Sequence, residues 1–412
     1  MNILLINHYA GAPALGMEHR PYQLAREWVR SGHRVTVVAG TFSHLRVRNP
    51  SATESISETM IDGIRYVWLR TPRYNGNGLQ RVRSMASFVA QLYRRQKRLM
   101  APPPDVVIAS STYPFDIYPA RAIARRARAR LVFEVHDLWP STPIELGGFS
   151  RAHPFIVAMQ LAENAACRAD RIVSLLPGAL SYYASKGVRP EHFAWVPNGL
   201  DLTESEAVPL PGEHLAVLEE ARKTHRMVVG YAGSHGVSNK LEILLQAAEL
   251  TRGDEIAYVL MGTGPAKPAL ERFVRERGLV NVFFLPPVSR GAVGSFLAQI
   301  DAAYLGWNRS SLYRFGISPN KLLDYMAAGC PVIHGVEAFN DPVADANCGI
   351  SVPPEDPDAV ALAARRLAMM SADERRALGS RGAIYVRECH DNRKLAADFL
   401  DFVCSEPRIN GQ

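Results

Sequence analysis

The 412-residue chain has no apolar run of about 18 residues or more, so no segment of it reads as a helix spanning a bilayer. Cysteine is sparse and odd in number: the five residues Cys167, Cys330, Cys348, Cys389 and Cys404 include no C-x-x-C pair. That pattern excludes a disulfide framework and a structural zinc site of ordinary spacing, and it fits a reducing cytoplasm. A basic leader is missing too. The opening MNILLINHYA alternates apolar and polar residues and ends in His8 and Tyr9, so it reads as a first strand and not as a signal peptide. No repeat of solenoid length occurs. No G-x-G-x-x-G follows the first strand and no acid stands where a dinucleotide ribose needs one, which disfavours a dehydrogenase. What remains is globular in composition, with 47% hydrophobic and 21% charged residues. At roughly 100–200 residues per domain, two or three domains are expected.

Charge is divided unevenly. Residues 1–200 hold 25 lysines and arginines against 13 acids, a net +12, whereas the rest holds 22 against 27, a net −5. A basic first half suits a phosphorylated substrate, anionic lipid or nucleic acid. Strand and helix signals alternate in both halves, the pattern of parallel sheets with crossover helices. Strands are expected at Asn2–Asn7, Arg34–Ala39, Ile64–Leu69, Val106–Ser110, Leu131–His136 and Arg171–Leu175. A helix over Glu18–Ser31, stopped by Gly32, fills the first crossover. After VPNGLD a polar stretch to about Arg226 reads as a linker. Strands resume at Met227–Tyr231, Ala257–Met261, Val282–Leu285, Ala302–Leu305 and Pro331–His334. The fold class is α/β, two Rossmann-like domains facing a cleft.

Glycines mark the strand ends. Gly11 and Gly16 in HYAGAPALGMEHR, and Gly262 and Gly264 in YVLMGTGPAK, suit loops whose N–H groups approach a phosphate, or ordinary turns. The most informative segment is FGISPNKLLDYMAAGCPVI, residues 315–333. Ser318 reads as an N-cap, Pro319 as the first helical residue, and Gly329 as the stop. Lys321 then lies in the first turn, where the helix dipole disfavours a cation. One available partner is Asp324, three residues on. The other, which we favour, is a phosphate held by the ammonium and the free N–H groups from Ser318 through Asn320 to Lys321, leaving Asp324 for a ribose.

With INHYA…G, SGHRVTVVAG, VPNGLD, YAGSHG, MGTGPAK and SPNKLLDYMAAGCPVI together, the chain resembles retaining GT-B glycosyltransferases of family 4 over nearly its whole length. TPRYNGNGLQRV, FEVHDLWP and YRFGISPNKLLDYM are most similar to the subgroup that adds amino or deoxy sugars in O-antigen and capsule assembly. The resemblance implies transfer from a nucleoside diphosphate sugar, UDP-linked, to a lipid diphosphate-linked or glycan acceptor in cell-surface polysaccharide biosynthesis. It implies an acceptor-side domain over 1–200, a nucleotide-sugar domain over 201–390, and a last helix from 391 crossing back to the first domain. The family's paired carboxylates fall on Gly316 and Asp324, so the sugar-side acid is absent. Its arginine and lysine after the first strand of the second domain fall on Ser234 and Asn239. Diphosphate contacts are therefore assigned to Lys321 and to Gly16, Gly233, Ser234, Gly262 and Gly264, with Lys240 a further candidate.

Asp356-Pro357-Asp358 imitates a metal-binding DxD, but PEDPDAVALAARRL reads as a helix start with an acid cap, so no metal or other cofactor is expected. At the end of the Leu131–His136 strand, His136 and Asp137 are the candidate catalytic pair: Asp137 meets the acceptor and His136 assists, unless the two merely cap the strand and its turn. Leu79–Met100 carries apolar residues at helical spacing with six basic residues and no acid. It reads equally as a helix on an anionic membrane surface or as a core helix with a solvated basic face. No nucleic-acid motif is present. Two other functions stay in view, a nucleotide-sugar 2-epimerase and a non-catalytic sugar-nucleotide sensor.

Overall fold

The computed structural model describes residues 1–17, 20–51, 54–76, 78–203 and 208–406. Glu18 and His19 of the expected first helix, Asn77 of TPRYNGNGLQRV and Glu204–Ala207 of the expected linker lie outside the described residues. The chain forms two compact units. The first comprises Met1–Asp201, Arg314–Ser318 and the chain from Asn392; the second comprises Leu202–Tyr313 and Pro319–Asp391.

Eight strands build the first sheet: β1 (Asn2–Ile6), β2 (Arg34–Gly40), β3 (Ile56–Ile61), β4 (Ile64–Leu69), β5 (Val106–Ala109), β6 (Arg130–Val135), β7 (Arg171–Ser174) and β8 (Phe193–Trp195), in the order β3-β4-β2-β1-β5-β6-β7-β8. Every neighbouring pair is parallel except β3 with β4. The period of two divides β1 between two cores: Leu4 and Ile6 join one apolar cluster, Ile3 and Leu5 the other. The helix Asn392–Cys404 closes the second of these, with Phe399 5.2 Å from Trp28 and the Trp28 indole N–H donating to the Ala396 carbonyl at 2.9 Å. The segment 314–318 joins this unit because the Phe315 carbonyl accepts from the Gly178 N–H at 2.9 Å and Ser318 is bonded to Asn198.

The second sheet has six strands, β9 (Met227–Ala232), β10 (Ile256–Met261), β11 (Val282–Leu285), β12 (Ala302–Gly306), β13 (Val332–Gly335) and β14 (Gly349–Val352), all parallel in the order β11-β10-β9-β12-β13-β14. Polarity of composition hid one helix. Gly212–Thr224, inside the expected linker, is helical and buries His214, Leu218 and Ala221 on one face.

Leu79–Met100 is a core element. It forms the helices Leu79–Arg94 and Gln96–Leu99, and Phe88, Leu92 and Leu99 are buried in the first unit's core. The apolar stripe is thus not available to lipid. Its cations face outward or inward to protein: Arg81 lies over the Tyr9 ring, Arg95 donates to Ser55, and Arg98 pairs with Glu58. No described helix is long and apolar enough to cross a membrane.

Candidate functional site

In the second unit, polar groups gather at the carboxyl ends of β9 and β10, the edge where open parallel sheets hold ligands. The helix Asn320–Ala327 is anchored there by Tyr325, whose hydroxyl donates to the Ala232 carbonyl at 2.8 Å and accepts from the Ala232 N–H at 3.0 Å. Lys321 consequently points back at the β9 turn. Its Nζ donates to the Tyr231 hydroxyl at 3.0 Å and to Asn239 Oδ1 at 2.8 Å, and it lies 5.4 Å from the centre of the Tyr231 ring. Burial pushes the Lys321 amine down to about 8, with no carboxylate offsetting it.

The glycines make room for this cation. Gly233 has φ +147°, and a Cβ on it would stand 2.6 Å from Lys321 Cε. Gly262, at φ +143°, lies so close to the Gly233 carbonyl that a Cβ would overlap it at 1.9 Å, and a Cβ on Gly264 would meet the His235 carbonyl at 2.6 Å. The sequence expectation of free N–H groups is corrected at Gly233 and Gly262, which donate to the Met261 and Leu285 carbonyls. The Gly16 N–H, in the first unit, is likewise taken, donating to the Pro13 carbonyl. The Ser234 carbonyl accepts from Tyr231 and Asn239.

Other expectations change with the geometry. Pro319, not Ser318, precedes the helix, and Asn320 is its first residue; the Ser318 hydroxyl instead accepts the Asn198 N–H at 2.9 Å. Asp324 is neither the partner of Lys321 nor uncommitted: it binds Arg290 at 3.1 Å, because the packing brings Arg290 closer than the lysine one turn away. Lys240 is paired with Glu355 at 2.8 Å and Glu242 at 3.5 Å.

The sequence reading missed three neighbours. Lys267 donates to the Gly262 carbonyl at 3.1 Å. His235, fully buried, has no well-formed hydrogen bond at either ring nitrogen. Burial, then the charges of Lys267 and Lys321, push it down to about 4, with the Met261 backbone pulling weakly the other way. After β12, the Trp307 indole donates to His334 Nε2 at 3.0 Å while His334 Nδ1 meets Asp341 Oδ1 at 2.8 Å. An indole N–H only donates, so His334 is neutral with its proton on Nδ1, and the relay fixes the plane of Trp307.

The first unit holds a second polar cluster at the ends of β1, β5 and β6. Glu134, inside the apolar run of β6 from Leu131 to Val135, is buried and bound by Arg20 Nε at 2.7 Å. The Ser110 hydroxyl donates to Glu134 at 2.6 Å, so its oxygen accepts from His136 Nε2 at 3.0 Å. His136 Nε2 also lies 3.3 Å from the carboxylate. A proton is therefore on Nε2, which leaves Nδ1 as the ring nitrogen not engaged with this cluster. Burial alone would raise the Glu134 carboxyl, but Arg20, with the bonds from His136 and Ser110, holds it well below the usual range. Asp137 is exposed, yet the protein crowding around it pushes its carboxyl up against the pull of His136.

Asp356 performs the capping role expected of it: its carboxylate accepts the Ala359 N–H at 2.9 Å, with Pro357 first in the helix. Asp356→Ala is expected to lower the stability of the second unit by about 1 kcal/mol, read as a lower urea midpoint.

Known proteins share this architecture. Residues 16–199 match the glycosyl transferase 4-like domain and residues 226–369 match glycosyl transferases group 1. WcaI of Escherichia coli K12, a protein described as a colanic acid biosynthesis glycosyl transferase, is 24% identical over 326 residues, covering 76% of this chain and 78% of its own. HepE of Anabaena, solved with UDP and glucose, superposes with a TM-score of 0.66 at 15% identity, covering 98% and 99% of the two chains. WaaG, described as a glycosyltransferase involved in lipopolysaccharide biosynthesis, gives 0.65 at 15% identity over 98% and 100%. Two parallel Rossmann-like sheets, each half matching its own glycosyltransferase family, leave one assignment: the chain belongs to the GT-B glycosyltransferases of family 4.

Proposed function

We propose that the protein transfers a sugar, with retention at the anomeric carbon, from a UDP-linked donor to a lipid diphosphate-linked or glycan acceptor in cell-surface polysaccharide biosynthesis. The observation that carries this reading is Lys321, a largely buried amine in the first turn of a helix with no ion-pair partner among the described residues. A bound diphosphate supplies the missing anion and meets the positive end of the helix dipole. The UDP bound to the structural relative HepE and the colanic acid role named for WcaI support the donor and the pathway class.

In this reading the second unit binds the donor and the first the acceptor. The donor's anomeric carbon–phosphate oxygen bond breaks, the acceptor oxygen bonds to that carbon, and the acceptor proton passes to the departing phosphate. Lys321 stabilises the charge that develops on the leaving diphosphate, with Lys267 nearby, so no metal is required. His136, its Nε2 held by Ser110 and Glu134, orients the acceptor hydroxyl through Nδ1, and Asp137 holds the acceptor beside it. The site of action is the cytoplasm, with the basic first unit placed to face anionic membrane lipid. The test is incubation with a panel of nucleotide sugars, with and without lipid diphosphate-linked saccharides, in EDTA. UDP release that needs the acceptor is expected. Isomerisation of the donor without acceptor identifies an epimerase, binding without turnover identifies a sensor, and activity restored only by magnesium or manganese removes the metal-free step.

A further inference from the structure

A cavity of about 680 Å³ lies in the first unit, lined by none of Ser110, Glu134, His136 or Asp137, and nothing above uses it. Its position follows from the sheet. Phe42 comes just after β2 and Arg70, Thr71 and Arg73 just after β4, two adjacent strands whose carboxyl ends open on the same edge. Ser87, from the helix Leu79–Arg94, closes one side, and Asn49 the other. The Asn49 side chain accepts from the Ser43 N–H at 2.8 Å and donates to the Ser43 carbonyl at 3.2 Å, so this wall is built and not loose.

The lining has a definite chemistry. It contains two arginines and no acid. Arg73 stands 5.8 Å from the Phe42 ring centre, which leaves an aromatic surface beside a guanidinium. Thr71 is 5% exposed, and its hydroxyl has no hydrogen-bond partner. A second orphan is next to it. His8 is fully buried, with Nδ1 bound to the Tyr113 hydroxyl at 2.7 Å and Nε2 unpartnered. Both lie against Gly40, where a Cβ would stand 2.5 Å from His8 Cδ2, 2.8 Å from His8 Nε2 and 3.1 Å from Thr71 Oγ1, so the imidazole packs directly on the bare glycine. Buried polar groups are seldom left unsatisfied, so the Thr71 hydroxyl, on the cavity wall and without a partner among the described residues, marks a place for a polar guest. Burial, then Arg46, Arg81 and His44, push the His8 imidazole well below its ordinary value, so it adds no charge beside the cavity wall.

We propose that this cavity is a second ligand site that takes a phosphorylated saccharide: Arg70 and Arg73 hold the phosphate, Phe42 packs on the sugar ring, and Thr71 meets a hydroxyl. Guanidinium groups bind phosphate oxygens through charge-assisted bonds, and a volume of several hundred Å³ suits one or two sugar rings with a phosphate. Joined to the proposed function, on which this step rests, the guest is the phosphate-bearing end of the acceptor. The same chemistry comes from a soluble sugar phosphate or from a lipid-linked saccharide diphosphate.

Calorimetry on the full chain saturated with UDP tests it, using inorganic pyrophosphate, a panel of hexose 1-phosphates, and a farnesyl diphosphate-linked N-acetylglucosamine. A saturable second site is expected, weakened about tenfold or more by the double substitution Arg70→Gln and Arg73→Gln. UDP affinity stays unchanged in that variant. Phe42→Ala weakens the sugar phosphates and not pyrophosphate. Tighter binding of the farnesyl compound than of any hexose phosphate assigns the guest to lipid-linked saccharide; parity assigns it to the soluble form. No saturable binding by any of these probes, or binding that the double substitution leaves intact, overturns the site. Failure of the wild type to bind UDP, with the phosphorylated saccharide still bound, instead sinks the nucleotide-sugar reading and leaves this site standing.

Discussion

Lys321→Ala is expected to lose about 2–3 kcal/mol of UDP affinity, roughly 30- to 150-fold, while the second unit stays folded. The magnitude is that of charge-assisted hydrogen bonds made where water is scarce. Stability should hold or rise, because a buried amine pushed down to about 8 is a group that the folded state tolerates poorly when charged. That penalty is full below pH 8 and fades as pH rises from about 8 toward the unfolded lysine value near 10.4. Binding adds a second, sharper signature. At pH 8 about half the free protein carries a neutral Lys321, so a diphosphate that requires the ammonium draws in about half a proton per complex. Calorimetry in buffers of differing ionisation enthalpy reads this uptake, which should vanish near pH 6 and be missing in Lys321→Ala. Equal UDP affinity in both proteins would show that Tyr231 and Asn239 hold the lysine for structural reasons alone.

Arg20→Met is expected to cost the first unit about 3–5 kcal/mol, because it strands Glu134 in a site closed to water. The informative partner is the double variant Arg20→Met with Glu134→Gln, which removes both charges and should recover most of the loss. The pH dependence has a fixed sign. Glu134 is held below the ordinary carboxylate range, so its contribution is present above the unfolded value of ~4.3 and is lost progressively as pH falls below it. Urea midpoints measured from pH 7 down to acid should therefore converge between wild type and Arg20→Met. A double variant as unstable as the single one would mean that the loss comes from the Arg20 bond to the Pro197 carbonyl instead.

The legible parts of this chain are those whose signal is local. The strands of both sheet interiors stand out as short Val- and Ile-rich runs bounded by turns, and they were placed within a residue or two. Among the edge strands only β11 was: β3, ISETMI, exposes half of its residues beside a single antiparallel neighbour and reads as polar loop. β8 and β14 are three and four residues long and too short to show a period. In the site, Lys321 could be singled out because a cation in a first helical turn is locally anomalous. Its partners could not, since Tyr231 and Asn239 reach it across 90 and 82 residues. The same distance misled the reading of Asp324, whose nearest charge, Arg290, is 34 residues earlier in the chain. Glu134 was passed over in the sequence although it is an acid inside LVFEV, and only the folded sheet shows that it answers Arg20 and contacts His136.

The bond between Trp28 and Ala396 spans 368 residues, and it sets an order of construction on the ribosome. At ~5–20 residues per second, roughly 20–75 s separate the synthesis of its two ends. Throughout that interval the nascent first unit has Leu24, Ala25 and Trp28 made but not the Phe399 and Leu400 that pack with them. Chain from Leu202 onward emerges meanwhile and is complete by Asp391, a few residues before the closing helix begins. The portion started first is thus the one finished last, and until release it carries an apolar seam that suits the grip of a holding chaperone.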